Sequence, residues 1–243
     1  MNFIFLSYPS FLVLLILAAS TTTNTATQTI KWTTCPPGQP TSAYKIDCAN
    51  LTFPLNYNNP SMGNVTAFIR RQYVNKPTKS GLWAVAGGPG DSTILLAGPL
   101  CDYFIGSNTS FTCYTQDARG TGLSSYMSCG KNQPVGPFNP YNSTTVTAFS
   151  NCINMIKSNY GSVLQYYSTY NAMKDLLGAI QLINPSLVLF YVQSYGTYAM
   201  NTYMLLPGAR ADVIVFDGPI PPNRCLSRTT QVILSPTDTS THN

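Results

Sequence analysis

Residues 187–198, L-V-L-F-Y-V-Q-S-Y-G-T-Y, constrain the fold more than any other stretch. An apolar, β-branched run stops at Ser194, a single glycine follows, and a second apolar run covers residues 198–206. This order predicts a strand, a sharp turn and a helix, the layout that lifts a serine oxygen clear of a sheet edge. Of the G-x-S-x-G pattern, Ser194 and Gly196 are present, and Val192 stands where the first glycine is expected. The Cβ of Val192 is expected to crowd the strand–helix crossing and loosen the turn.

The neighbouring segments supply further pieces of one sheet. Residues 44–55 and 65–74 alternate apolar and polar side chains, the period of half-buried strands. Pro54 and the N-Y-N-N-P cluster between them predict a turn, and hence two antiparallel strands at a sheet edge. Residues 82–86 are a short apolar strand without alternation, as in a strand buried on both faces, and residues 111–115 are the next strand. Residues 128–142 read as a loop and 150–158 as a short helix. Over residues 169–183, Tyr170, Met173, Leu176, Leu177, Ile180 and Ile183 recur at helical spacing, with Ser168 or Thr169 as cap and Asn184-Pro185 as stop. Residues 212–216 predict a last strand. Strands alternating with helices imply a mostly parallel sheet covered on both faces.

Seven cysteines and no C-x-x-C pair argue for disulfides rather than for a metal site. Pairing neighbours in sequence gives Cys35–Cys48, Cys101–Cys113 and Cys129–Cys152, with Cys225 left over. Residues 1–20 carry an apolar core too short to span a bilayer and small residues before Thr21, the form of a secretory signal peptide. Residues 21–31 are read as a disordered Thr-rich leader, 32–224 as the folded domain and 225–243 as a polar tail. Export to a secreted or lysosomal or vacuolar compartment follows, without a stable membrane span. Sequons at Asn50, Asn64, Asn108 and Asn142 offer glycan sites in a chain with only 9% charged residues. The net charge of +5 is scattered, with no aromatic–basic stripe, which argues against nucleic acid as a partner. No cofactor is implied, and the oligomeric state is not legible. All eight acidic residues are Asp.

Two more glycine turns end the central strands: G-G-P-G at residues 87–90 and D-A-R-G-T-G-L-S at residues 117–124. The first brings backbone N–H groups together without side chains in the way, as a hole for an oxyanion requires. In the second, Asp117 and Arg119 are expected to pair and brace the turn with Gly120 and Gly122, and Ser124 lacks a strand-to-helix corner.

Taken in order, G-G-P-G, D-A-R-G-T-G-L-S, Q-S-Y-G-T-Y and V-F-D-G-P resemble the α/β-hydrolase fold. Within it, the chain resembles the proline iminopeptidase and tripeptidyl aminopeptidase family of secreted serine peptidases. The segments C-A-N-L-T-F-P-L-N-Y at 48–57 and Y-S-T-Y at 167–170 extend the likeness. It runs over about residues 32–224, the N-terminal half of such an enzyme, so the last strands and the lid are expected to be missing. The resemblance implies Ser194 as nucleophile and the N–H groups of Gly88 and Tyr195 as the oxyanion hole, acting on peptides from a free N-terminus through an acyl-enzyme. Gln193 and Ala86 depart from residues common in relatives.

The triad order in this fold is serine, acid, histidine. Asp217, at a strand end, is the local acid candidate, although bracing the Gly218-Pro219 turn is the simpler role. The one histidine is His242, and nothing in the polar tail supplies a packed element to hold its imidazole, which weighs against it as base. Two other readings stand beside the aminopeptidase: a catalytically inactive hydrolase-fold protein that binds a peptide or partner, and a serine carboxypeptidase.

Overall fold

The computed structural model describes residues 28–107, 110–130, 134 and 141–220. The expected signal peptide, most of the leader, Asn108, Cys225, His242 and the polar tail lie outside the described residues. Six strands form one sheet: β1 (Lys45–Pro54), β2 (Asn64–Tyr73), β3 (Ser80–Val85), β4 (Thr112–Gln116), β5 (Leu187–Gln193) and β6 (Val213–Asp217). Their spatial order is β1-β2-β4-β3-β5-β6. The β1–β2 and β2–β4 pairs are antiparallel, and β4–β3, β3–β5 and β5–β6 are parallel. That order, a mixed and mostly parallel sheet with helices on both faces, is the α/β-hydrolase fold.

Among the described residues there are four α-helices, α1 (Thr93–Ser107), α2 (Ser143–Tyr160), α3 (Thr169–Ile183) and α4 (Tyr195–Met204), of which α1, α3 and α4 pack on the sheet. The period of two in β5 divides its side chains between the faces. Val188, Phe190 and Val192 join Met173, Leu176 and Ile180 of α3 and Ala199, Met200 and Tyr203 of α4 in the larger core. Leu189 and Tyr191 lean the other way, against the cluster that Ala97, Cys101 and Ile105 of α1 build with Leu82, Ala84 and Cys113.

Helix α3 has the predicted bounds, capped by the Ser168 hydroxyl and ended by Asn184 in the left-handed conformation. Helix α2 is longer than the expected 150–158, because the Asn142 Oδ1 accepts the N–H groups of Thr144 and Thr145 and starts it earlier. Helix α1 was not legible in the sequence. Its exposed face carries Leu95, Leu96 and Tyr103, and Pro99 interrupts its interior, so neither amphipathic contrast nor composition marks it. It forms because Ser92 caps Leu95 N–H and Ile94, Ala97, Cys101 and Ile105 align on the sheet side.

All three sequence-neighbour cysteine pairs are disulfides. Cys101–Cys113 ties α1 to β4, and Cys35–Cys48 ties the entry segment to β1. The end of the expected leader is packed: Gln28 Oε1 accepts the Thr52 N–H, and Ile30 lies against the core. Among the described residues, no helix is long and apolar enough to cross a membrane.

Candidate active site

The register of the parallel strands decides what meets at the sheet edge. Val85 of β3 pairs with Val192 of β5, and Gln193 of β5 pairs with Asp217 of β6. The turns that follow therefore place Gly87, Ser194 and Asp217 side by side. This edge is also where the connections diverge, α1 leaving β3 for one face and α4 leaving β5 for the other, the crevice in which open α/β sheets take their ligands.

Ser194 sits at the first corner of α4 with φ 51° and ψ −121°. A non-glycine residue holds such a conformation only when its surroundings impose it, at a cost of about 1–3 kcal/mol. The surroundings here are backbone contacts. Ser194 N–H donates to the Asp217 carbonyl at 2.8 Å, and its own carbonyl accepts the Thr197 hydroxyl at 2.6 Å. Thr197 in turn accepts the Ile220 N–H, which locks the chain after β6 behind the elbow. The loosening expected from Val192 does not occur. Val192 is fully buried in the β5 ladder, and the close approach is borne by Gly196, where a Cβ would come within 2.4 Å of the Val85 carbonyl oxygen.

Gly87 makes the second close approach. A Cβ there would lie 2.6 Å from the Ser194 Cβ and 3.0 Å from its Oγ, so only glycine lets the G-G-P-G turn reach the serine. Gly88 follows at φ 65°, and the Asp91 N–H closes the turn on its carbonyl at 2.9 Å. Tyr195 opens α4, and its hydroxyl meets Thr169 Oγ1 at the head of α3. Between the G-G-P-G turn, β3, α3 and α4 lies a cavity of about 70 Å³. Its base is apolar (Trp83, Met173, Leu176, Ala199), and Asp91, Gln116 and Tyr195 belong to its walls.

Asp217 is held by its neighbours. Its Oδ2 accepts the Tyr191 hydroxyl in a short bond and the Gln193 amide at 3.1 Å. The Tyr191 hydroxyl is pushed up to about 12, chiefly by that bond. Ser194 Oγ is exposed, and among the described residues no side chain hydrogen-bonds to it. His242 lies outside the described residues, so the site holds a serine and a carboxylate on adjacent strand ends.

The D-A-R-G turn departs from expectation in its partners. Asp117 and Arg119 do not pair. Asp117 is buried and accepts from the Ser92 hydroxyl, the Ile94 N–H and the Leu123 N–H, tying the head of α1 to this turn. Burial pushes its carboxyl above the ordinary value against the pull of those bonds. Arg119, in the turn after β4, points the other way, toward α3. It forms a two-pronged pair with Asp175 of α3 at 2.8 and 2.6 Å and donates to the Pro54, Leu55 and Tyr166 carbonyls. Both charged side chains are fully buried, and Tyr57 donates a further bond to Asp175 at 2.6 Å. Sequence reasoning missed Asp175. The signal was a lone acid at helical spacing within the apolar face of α3. Gly120 and Gly122 have φ 86° and 51°, and a Cβ on Gly122 would overlap the Asp117 carboxylate. Ser124 is a bolt, its hydroxyl donating to the Asp117 carbonyl and accepting the Phe68 N–H.

Among the described residues no group of His, Cys, Asp and Glu is arranged to hold a metal. Asn50 and Asn64 are exposed on β1 and β2, and Asn142 is exposed at the head of α2.

No family model and no curated protein matches the chain. Similar solved structures include a protein of Agrobacterium vitis S4 described as a hydrolase, at 12% identity and a TM-score of 0.46 over 79% of this chain and 59% of that one. A cold-adapted esterase from an Arctic intertidal metagenomic library matches at 8% identity and 0.42, over 76% and 64% of the two chains. A proline iminopeptidase-related protein from Thermus thermophilus matches at 13% and 0.40, over 69% and 43%. The chain thus spans less than two thirds of the length of each. The fold assignment rests on the strand order and the elbow, not on these likenesses.

Proposed function

We propose that the chain belongs to a secreted serine hydrolase acting on peptides from a free N-terminus, with Ser194 as nucleophile. The observation that carries this reading is the backbone strain at Ser194 with Gly87 packed against it. Strain of this kind persists where a fold over-determines a functional corner. In the proposed reaction, Ser194 Oγ attacks the carbonyl carbon while its proton passes to a general base. The oxyanion is met by the N–H groups of Gly88 and Tyr195. The C–N bond then breaks, the leaving amine takes the proton, and water hydrolyses the resulting ester. Asp217, whose strand end pairs with that of Ser194, is the candidate acid, with Tyr191 and Gln193 fixing its carboxylate. The disulfides accord with an oxidising compartment, with glycans on the exposed sequons.

A second reading, a binding protein of the same fold, is favoured by one observation: no described side chain receives the Ser194 proton. A neutral alkyl fluorophosphonate separates the two. We expect adduct mass on the peptide containing Ser194 and none in Ser194→Ala. Absence of an adduct in the unmodified protein would leave the binding-protein reading standing.

A further inference from the structure

Asp91 stands beside the oxyanion turn with its charge uncompensated by any described residue. A Cβ on Gly88 would come within 2.4 Å of Asp91 Oδ2, so the carboxylate lies directly against the residue proposed to hold the oxyanion. Asp91 is exposed, and among the described residues no arginine or lysine pairs with it. For a neutral acyl group this placement is adverse, since a negative charge at the turn opposes the negative charge that forms there. The conflict vanishes if the substrate brings its own cation. The wall of the adjoining cavity offers a further polar group, Gln116, which is buried with no hydrogen-bond partner for its Oε1 among the described residues.

We propose that Asp91 binds the free α-ammonium of the residue whose carbonyl Ser194 attacks, which makes the protein a remover of single N-terminal residues. This rests on Ser194 being the nucleophile. Backbone dimensions set the reach. In an N-terminal residue, the ammonium nitrogen is about 2.5 Å from the carbonyl carbon. A carboxylate at the oxyanion turn can meet a nitrogen that close. An ammonium two residues further upstream is displaced by about 7 Å and passes beyond it. The same charge rejects peptides with a blocked N-terminus, which bring no cation to offset it. The adjoining cavity, lined by Met173, Leu176 and Ala199, offers apolar contacts to the N-terminal residue's side chain.

The test uses the full chain and three probes. They are a neutral alkyl fluorophosphonate, a diphenyl phosphonate built on alanine with a free amine, and its N-acetyl counterpart. Labelling rates at Ser194 are read by intact mass at pH 7, where an α-amine is largely protonated. The amine probe is expected to label about tenfold faster than the acetylated one, the size of one partly screened ion pair, and added salt should narrow the gap. Asp91→Asn should bring the two rates together, slowing the amine probe and speeding the acetylated one. The Asp91 side chain makes no hydrogen bond to a described residue, so an unchanged melting temperature is the expected folding control. Equal rates in the unmodified protein, or a preference that survives Asp91→Asn, would retire the role of Asp91 while fluorophosphonate labelling keeps Ser194 as nucleophile. If none of the probes labels Ser194, the nucleophile reading falls and the role of Asp91 with it.

Discussion

The turn at residues 117–124 and the elbow at Ser194 both follow a parallel strand of one sheet, and both set a serine beside glycine. Their side chains end in opposite conditions. In the first turn Asp117, Arg119 and Ser124 are all buried, and each makes two or more hydrogen bonds. At the elbow Ser194 is exposed and strained, and among the described residues it is bonded only through its backbone. The two conditions depend on each other. A corner with positive φ and a free hydroxyl persists only where rigid neighbours leave it no alternative. Fixed contacts stand on both sides of it: the buried ion pair between Arg119 and α3, the helix that packs against α4, and Asp117 holding the turn ahead of α1. Polar side chains of similar type thus stabilise one turn and leave the other available for chemistry.

The largest effect that would break this contrast is loss of the Arg119 guanidinium. Arg119→Ala leaves Asp175 charged and unpaired at full burial, and removing one partner of a buried pair costs about 3–5 kcal/mol. Urea or thermal unfolding should show that loss, about 10 °C in melting temperature for a domain of this size. A loss under about 1 kcal/mol would mean that the brace is not what stiffens the sheet edge.

A smaller effect of opposite sign is expected at the elbow. Ser194→Gly relieves a strain of about 1–3 kcal/mol and gives back about 0.5–1 kcal/mol through the freer unfolded chain. A net stabilisation of about 1 kcal/mol in urea unfolding is the expected result. Destabilisation would show that Ser194 rests in its corner without strain.

The smallest effect concerns pH. Burial raises the folded pKa of Asp117 above its unfolded value. Below the unfolded value, about 4, both states are protonated and its contribution is fully present. As pH rises from there through the raised folded value, the unfolded chain ionises first and that contribution is lost. Ser92→Ala removes a bond that favours the carboxylate and should widen the window, steepening the fall of the urea midpoint. An unchanged slope would assign the head of α1 to packing rather than to Asp117.

Much of this was legible beforehand. The period of two in β1 and β2, the apolar stripe of α3 and the abrupt end of β5 each follow from local side-chain chemistry, and the three disulfides follow from spacing. Helix α1 was not, because its burial is set by the sheet beneath it rather than by any contrast along its own sequence. The partner of Arg119 was not, because Asp117 and Asp175 are equally acidic on paper and only the course of the turn after β4, packed against α3, sends the arginine to the second.

At Ser194 the division is the same. The sequence by itself determined that a strand stops there, that a helix follows and that one glycine, Gly196, stands just past the corner. Those are properties of neighbouring residues and need no distant contact. Only the tertiary structure decided that Gly196, rather than the position held by Val192, carries the close crossing, and that Gly87 and Asp217 meet the serine. Their convergence depends on strand register, which is fixed by pairing across the sheet and by the core beneath it rather than by any one segment.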